Sequence, residues 1–243
     1  MPIHLLTDKV ASQIAAGEVG ERPASVVKEL LENALDAGAT QIRIRLDQAG
    51  KRLIEVTDNG AGISFNELSL AVARHATSKI LSAEDLFSIR TLGFRGEALA
   101  SIGSVSNLTL TSKTADAHTG GRLRVEGGKN GSVETVGAPQ GTVVTVGDLF
   151  FNVPARLKFL KADATERRHA ADLVTRYALA YPQVRFHLLL DGVTALQTSG
   201  NGNPREVLSA LYGVELARQM LEIELQDEGD RIRGYISPVA QTR

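Results

Sequence analysis

Pro23-Ala24-Ser25-Val26-Val27-Lys28-Glu29-Leu30-Leu31-Glu32-Asn33-Ala34-Leu35-Asp36-Ala37-Gly38 reads as a helix with two unlike sides. Pro23 stands where a proline starts a helix and Gly38 where a glycine ends one. At about 3.6 residues per turn, Glu29, Asn33 and Asp36 share one face, while Val27, Leu30, Leu31 and Ala34 fill the other. The apolar stripe belongs in a core, which leaves the polar face free to line a pocket. A carboxylate can take a proton from water, and an amide oxygen one turn on is a hard ligand of the kind Mg²⁺ accepts beside phosphates and waters. On the helix alone, two solvated side chains are the favoured reading, since Glu and Asn are mostly exposed residues.

The residues that follow extend the pocket. Gln41 to Asp47 and Arg52 to Thr57 alternate apolar and polar positions and predict two strands joined by a turn at Ala49-Gly50. Asp58 therefore sits at a strand end, followed by Asn59-Gly60-Ala61-Gly62. Without Cβ atoms, Gly60 and Gly62 let a flat ring lie close, and Asp58 can accept a hydrogen bond from an exocyclic amine; alone, D-x-G-x-G is only a turn signal. Thr91-Leu92-Gly93-Phe94-Arg95-Gly96-Glu97-Ala98-Leu99 brackets a bulky pair with glycines and leads into a helix. Backbone N–H groups in such a loop form an anion site. There is no G-x-x-x-x-G-K-[ST] string, so phosphate binding has to come from another architecture. Upstream, His75-Ala76-Thr77-Ser78-Lys79 offers two hydroxyls and an ammonium, and also fits an ordinary polar loop. Gly141-Thr142-Val143-Val144-Thr145-Val146 predicts a strand that opens with a glycine and a hydroxyl able to reach a base beside Asp58.

Taken in order, E-x-x-x-N, D-x-G-x-G, G-F-R-G-E-A-L and G-T-x-V resemble the four nucleotide-binding motifs of the GHKL ATPases, which include gyrase-type topoisomerases, heat-shock chaperones and histidine kinases. Within that superfamily the chain is most similar to the MutL family of DNA mismatch repair proteins. Ile14-Ala15-Ala16-Gly17-Glu18-Val19, Arg22-Pro23-Ala24-Ser25-Val26-Val27-Lys28-Glu29-Leu30, Asp36-Ala37-Gly38-Ala39, Arg74-His75-Ala76-Thr77-Ser78-Lys79-Ile80 and Asn152-Val153-Pro154-Ala155-Arg156 all look like signatures of that family. The resemblance implies an α+β fold: a Bergerat-type α/β sandwich with a mixed, mainly antiparallel sheet. It implies ATP and Mg²⁺ as ligands, Glu29 as general base, Asn33 as Mg²⁺ ligand, and Asp58 as adenine reader supported by Thr142, with Gly60 and Gly62 against the base. Thr77, Ser78, Lys79 and the loop Gly93, Phe94, Arg95, Gly96, Glu97, Ala98 and Leu99 correspond to a phosphate-contacting lid ordered by ATP. One departure is Gly20, where the family carries a bulky aliphatic residue; this bears on the N-terminal segment that helps hold the nucleotide-bound dimer.

Composition agrees. The 243 residues carry a net charge of −1, 43% hydrophobic content and no cysteine, which permits a sizeable core and excludes disulfides and Cys-ligated zinc. No uncharged apolar run is long enough to span a bilayer, and Met1-Pro2-Ile3-His4 is not a signal peptide. The reading is a soluble cytoplasmic protein that joins the nucleoid during repair. Near-neutral charge means that DNA contact, without sequence preference, must use a local patch. Arg156, Lys158, Lys161, Arg167 and Arg168 form the candidate, opposed by Asp163 and Glu166, with a solvated charged face as the plain alternative.

Residues 1 to 200 hold all four motifs and predict the ATP-binding domain. The turn formers Thr198-Ser199-Gly200-Asn201-Gly202-Asn203-Pro204 predict a linker, followed by a helix over 205–212, a short apolar run from Ala217 and a strand over 231–237. By resemblance, residues 201 to 243 are the start of a second, transducer-like domain of the ribosomal-protein-S-five type. The chain then reads as a partial sequence lacking that domain's γ-phosphate-contacting lysine. The implied function is slow Mg²⁺-dependent ATP hydrolysis that orders the lid and drives homodimerisation, coupling a MutS-type mismatch-recognition protein to downstream repair enzymes. Two alternatives remain at this stage: a nucleotide-gated clamp or matchmaker without significant turnover, and the ATPase region of a type II topoisomerase.

Overall fold

Alternation of apolar residues along the strands decides the architecture, because it leaves the sheet with one dry face. The computed structural model describes residues 21–80, 84–88, 91–93, 95–227 and 229–239. Gly20, Phe94 and the Ile14 to Val19 signature lie outside the described residues. In chain order the elements are α1 (Pro23–Asp36), β1 (Gln41–Asp47), β2 (Leu53–Asp58), α2 (Leu68–Ala71), α3 (Ala98–Ser104), β3 (Asn107–Lys113), β4 (Gly120–Glu126), β5 (Lys129–Asn130), β6 (Glu134–Val136), β7 (Gly141–Gly147), α4 (Pro154–Phe159), α5 (Asp163–Ala180), β8 (Arg185–Leu190), β9 (Val193–Gln197), α6 (Pro204–Tyr212), α7 (Val214–Gln219), β10 (Leu221–Asp227) and β11 (Asp230–Ile236).

Nine strands form one sheet in the order β5-β4-β3-β7-β2-β1-β8-β9, with β6 also paired to β4. Every pairing is antiparallel except β1 with β8, so the sheet is mixed and mainly antiparallel. Ile42, Ile44 and Leu46 of β1, Ile54 and Val56 of β2, and Leu108 and Leu110 of β3 are buried on one face. Onto that face α1 lays Val27, Leu30, Leu31 and Ala34, and α5 lays Ala170, Val174 and Ala178. The result is an α/β sandwich whose second sheet face is free of this helical layer.

The end of α1 is set by its glycine. Gly38 takes φ +72°, its N–H bonds the Leu35 carbonyl (2.9 Å), and the Ala39 N–H bonds the Ala34 carbonyl (3.1 Å). This Schellman arrangement satisfies the last carbonyls and turns the chain into β1. Strand β2 begins and ends one residue later than the sequence pattern predicts, because Asp58 still pairs with Thr142 of β7. That last pair carries the aspartate into the sheet.

The predicted turn formers after Thr198 are held in place. The Thr198 hydroxyl accepts the Phe186 N–H (2.9 Å), and Asn203 caps α6 by accepting the Arg205 N–H (3.0 Å). Val207 of α6 joins the main buried cluster. Strand β10, whose Leu221-Glu222-Ile223-Glu224-Leu225 carries an alternating signal that the sequence expectations omit, pairs with β11 in a separate two-stranded sheet. Among the described residues, no helix is long and apolar enough to cross a membrane.

Candidate active site

The polar face of α1 carries Glu29, Asn33 and Asp36 in different surroundings. Glu29 is partly buried, and burial above all raises its carboxyl above the usual range, opposed by the Lys28 ammonium 3.6 Å from Oε1. Lys28 is held in turn by Glu32, whose Oε2 lies 2.7 Å from Nζ and whose Oε1 accepts the Tyr177 hydroxyl from α5. Burial first, and then the bond to Glu32, push the Tyr177 hydroxyl upward, so it stays a donor. A partly buried carboxylate whose basicity is raised by burial is suited to taking a proton from water.

One turn on, Asn33 and Asp36 meet the segment expected to form the lid. Lys79 Nζ donates to Asn33 Oδ1 (2.8 Å) and to Asp36 Oδ2 (2.6 Å). Asp36 also accepts the backbone N–H groups of Leu92 (2.9 Å) and Gly93 (3.2 Å). The sequence reading placed Asp36 on this face but gave it no role. Its partners lie 43 to 57 residues away, beyond any local pattern.

The end of β2 forms the second cluster. Asp58 Oδ1 accepts the Gly60 N–H (2.8 Å), and burial raises the Asp58 carboxyl while its bonds from Gly60 and Thr142 lower it. The Thr142 hydroxyl lies 2.9 Å from Ser112 Oγ, which donates to the Gly141 carbonyl and accepts the Ile63 N–H, both at 2.8 Å. Buried Ser112 on β3 is a supporting residue that sequence reasoning missed; only its inward place in the strand alternation marks it. Asn59 is structural, its amide oxygen taking the Thr40 and Gln41 N–H groups at 2.9 and 2.8 Å.

Gly62 has a reason beyond close approach of a ring. At φ +76° its missing Cβ would stand 2.2 Å from the Lys113 carbonyl oxygen, so the chain packs where a side chain would be. Gly62→Ala is expected to destabilise the fold by about 1–3 kcal/mol through overpacking and φ strain, read as a lower thermal midpoint. An unchanged midpoint would show that this backbone gives way freely.

The remaining lid residues divide. Thr77 Oγ1 accepts the Lys79 N–H (3.1 Å), Ser78 is exposed, and Glu97 pairs with His75 at 3.2 Å. Gly96, at φ +64°, presses against the Ala76 carbonyl. Arg95 is exposed, Ala98 starts α3, and Leu99 is partly buried against the core. In the basic patch, Arg156 lies over the Phe150 ring at 5.8 Å with Nη1 buried, and Arg167 is paired with Asp191 at 2.6 Å. Arg168 faces Asp172 at 3.7 Å, while Lys158 and Lys161 are exposed. Arg156 is thus engaged with Phe150, whereas Lys158 and Lys161 are open to solvent.

The family model for histidine kinase-, DNA gyrase B- and HSP90-like ATPases matches residues 21–140. Among solved structures, the Aquifex aeolicus MutL ATPase domain complexed with ADP superposes with a TM-score of 0.68 at 37% identity, covering 89% of this chain and 77% of that one. The chain belongs to the MutL family. A crystal structure of the N-terminal domain of a DNA repair protein gives a TM-score of 0.76 at 29% identity, covering 93% and 71% of the two chains. The MutL mismatch repair protein of Geobacillus kaustophilus is 54% identical over 241 residues, and that of Streptococcus equi subsp. equi 49% identical over 238. This chain spans 38% and 36% of those two MutL relatives, with 99% and 98% of its own length matched. The expected GHKL ATPase fold is the one observed.

Proposed function

We propose that this chain is the ATP-binding and ATP-hydrolysing region of a DNA mismatch repair protein. The observation that carries the reading is the α1 face, where a carboxylate raised by burial lies one helical turn from an amide oxygen that accepts the Lys79 ammonium. Glu29 is the general base for the attacking water. Asp58 and Thr142, at the end of the same sheet, read adenine, with Gly60 and Gly62 beside them. Lys79, Thr77, Ser78 and the described donors of the lid contact the phosphates.

Asn33 fits a Mg²⁺ site, because its Oδ1 accepts the Lys79 ammonium at 2.8 Å and so is already turned toward positive charge. When bound, the ion would neutralise phosphate charge during the displacement. Among the described residues no group of three His, Cys, Asp or Glu side chains could hold a metal, so phosphates and waters would complete its shell. Residues 201–243 are read as the start of a transducer-like domain. Lid ordering drives homodimerisation, and a MutS-type protein, downstream repair enzymes and DNA are the partners in the cytoplasm. Lys158 and Lys161 are the DNA contacts that remain available.

Calorimetric titration with ATP and Mg²⁺ tests the reading. The parent chain should bind, and Asn33→Ala should weaken Mg²⁺-ATP about ten- to a hundredfold while leaving metal-free ATP less affected. Equal Mg²⁺-ATP affinity in the two proteins would remove Asn33 from the site. Turnover measured on the full-length protein separates a hydrolase from a nucleotide-gated clamp.

A further inference from the structure

Glu32 lies three residues from the proposed base and has no part in the chemistry described so far. Its side chain is 8% exposed, and a carboxylate that far out of water needs partners for both oxygens. By spacing alone, Lys28 and Glu32 would be an ordinary pair one turn apart on a helix surface. The fold makes them more than that, because α5 brings the Tyr177 hydroxyl onto Glu32 Oε1 while the Lys28 ammonium takes Oε2 at 2.7 Å. Tyr181, one turn on, braces the tyrosine, the two rings stacked with centroids 6.2 Å apart.

This chain of contacts ends at the base. Lys28 Nζ lies 3.6 Å from Glu29 Oε1, beyond hydrogen-bond reach, so of the two carboxylates beside it the ammonium is bonded to Glu32. The charged and titratable groups acting on Glu29 are Lys28 and Glu32 of α1, Lys79 of the lid and Tyr177 of α5. Lys79 is committed to Asn33 and Asp36 at 2.8 and 2.6 Å, so within this set Lys28 is the cation that a side-chain rotation would bring onto Glu29. An ammonium bonded there would make Glu29 a weaker base and occupy an oxygen that water has to approach.

We propose that Tyr177 and Glu32 are positioning residues for hydrolysis: the tyrosine pins Glu32 from α5, and Glu32 holds the Lys28 ammonium off Glu29, so that this carboxylate stays free to take the proton of the attacking water. The inference rests on reading Glu29 as the general base. It deepens that reading by giving control of the base to a helix outside the four nucleotide motifs.

Phosphate release by the full-length protein, followed across pH, tests this. In Tyr177→Phe, Glu32 loses its anchor and the ammonium is shared with Glu29, which favours the charged carboxylate. The acid limb of kcat should move to lower pH by about 0.5–1 unit, and the plateau should fall about three- to tenfold because a weaker base takes the proton less readily. Glu32→Gln should shift both in the same direction, since glutamine still accepts the tyrosine hydroxyl and keeps α5 fastened but gives up the charge that draws the ammonium. Affinity for a non-hydrolysable ATP analogue with Mg²⁺ should stay within about twofold of the parent in both variants, as expected when the base and not ligand binding is altered. In a Lys28→Met background Tyr177→Phe should no longer move the limb, because the cation through which it acts is gone. A limb and plateau unchanged in the folded variants overturn the inference. So does a Tyr177→Phe shift that persists without Lys28, or a loss of analogue affinity as large as the loss of rate. If Tyr177→Phe fails to fold, Glu32→Gln decides alone. Should Glu29→Gln turn over as the parent does, the reading of the base falls and the inference with it; an inactive Glu29→Gln beside an unchanged Tyr177→Phe sinks the inference alone.

Discussion

Glu29→Gln is expected to bind a non-hydrolysable ATP analogue as the parent does and to lose turnover by about 10²–10⁴-fold, the usual contribution of a positioned general base. Glutamine preserves the shape of the α1 face but cannot take a proton. The comparison needs calorimetry for binding and phosphate release on the full-length protein for turnover; equal turnover in the two proteins would remove Glu29 from the chemistry. The surroundings of Glu29 add a pH dependence. Burial raises its carboxyl, and only the deprotonated form can act as base. The rate should therefore fall as pH drops through this raised value, with an acid limb lying above the ordinary carboxylate range. Lys28, 3.6 Å away, works against that rise, so Lys28→Met should move the limb to still higher pH.

Asp58→Asn is the second large effect, with ATP affinity falling about ten- to a hundredfold. Asparagine can still accept the Gly60 N–H bond made by Oδ1 at 2.8 Å, so the turn is preserved. What changes is the second oxygen, whose replacement by an NH₂ group turns an acceptor for the adenine amine into a donor. The loss should be specific to adenine: inorganic triphosphate with Mg²⁺ should bind the two proteins alike. Unchanged ATP affinity in titration calorimetry would take Asp58 out of base recognition. A loss shared by inorganic triphosphate would instead point to a general collapse of the β2 end.

Much of this protein was decided locally. A helix that begins at Pro23 and is closed off by Gly38 follows from the fixed φ of proline and the left-handed φ of glycine. Its two faces follow from residue spacing, and the same arithmetic puts Glu29 and Asn33 on one side. Alternation in Gln41 to Asp47 marks a strand that lies where the pattern predicts, and the strand predicted over Gly141 to Val146 runs one residue further, to Gly147. Motif order was sufficient for the family, because four weak signals at successive positions constrain one another.

Only the folded chain could decide what those residues touch. Asp36 and Lys79 are 43 residues apart, and nothing in the spacing of either segment announces their ion pair. Ser112 acquires its place beside Thr142 from strand pairing 30 residues away, and the Arg156 guanidinium packs over Phe150, a contact that the basic run does not announce. Periodicity and turn chemistry act within a few residues, so sequence determines which face a side chain takes. Register and layer packing bring distant faces together, and hydrogen bonds, burial and charge pairing at those meeting points are properties of the tertiary structure.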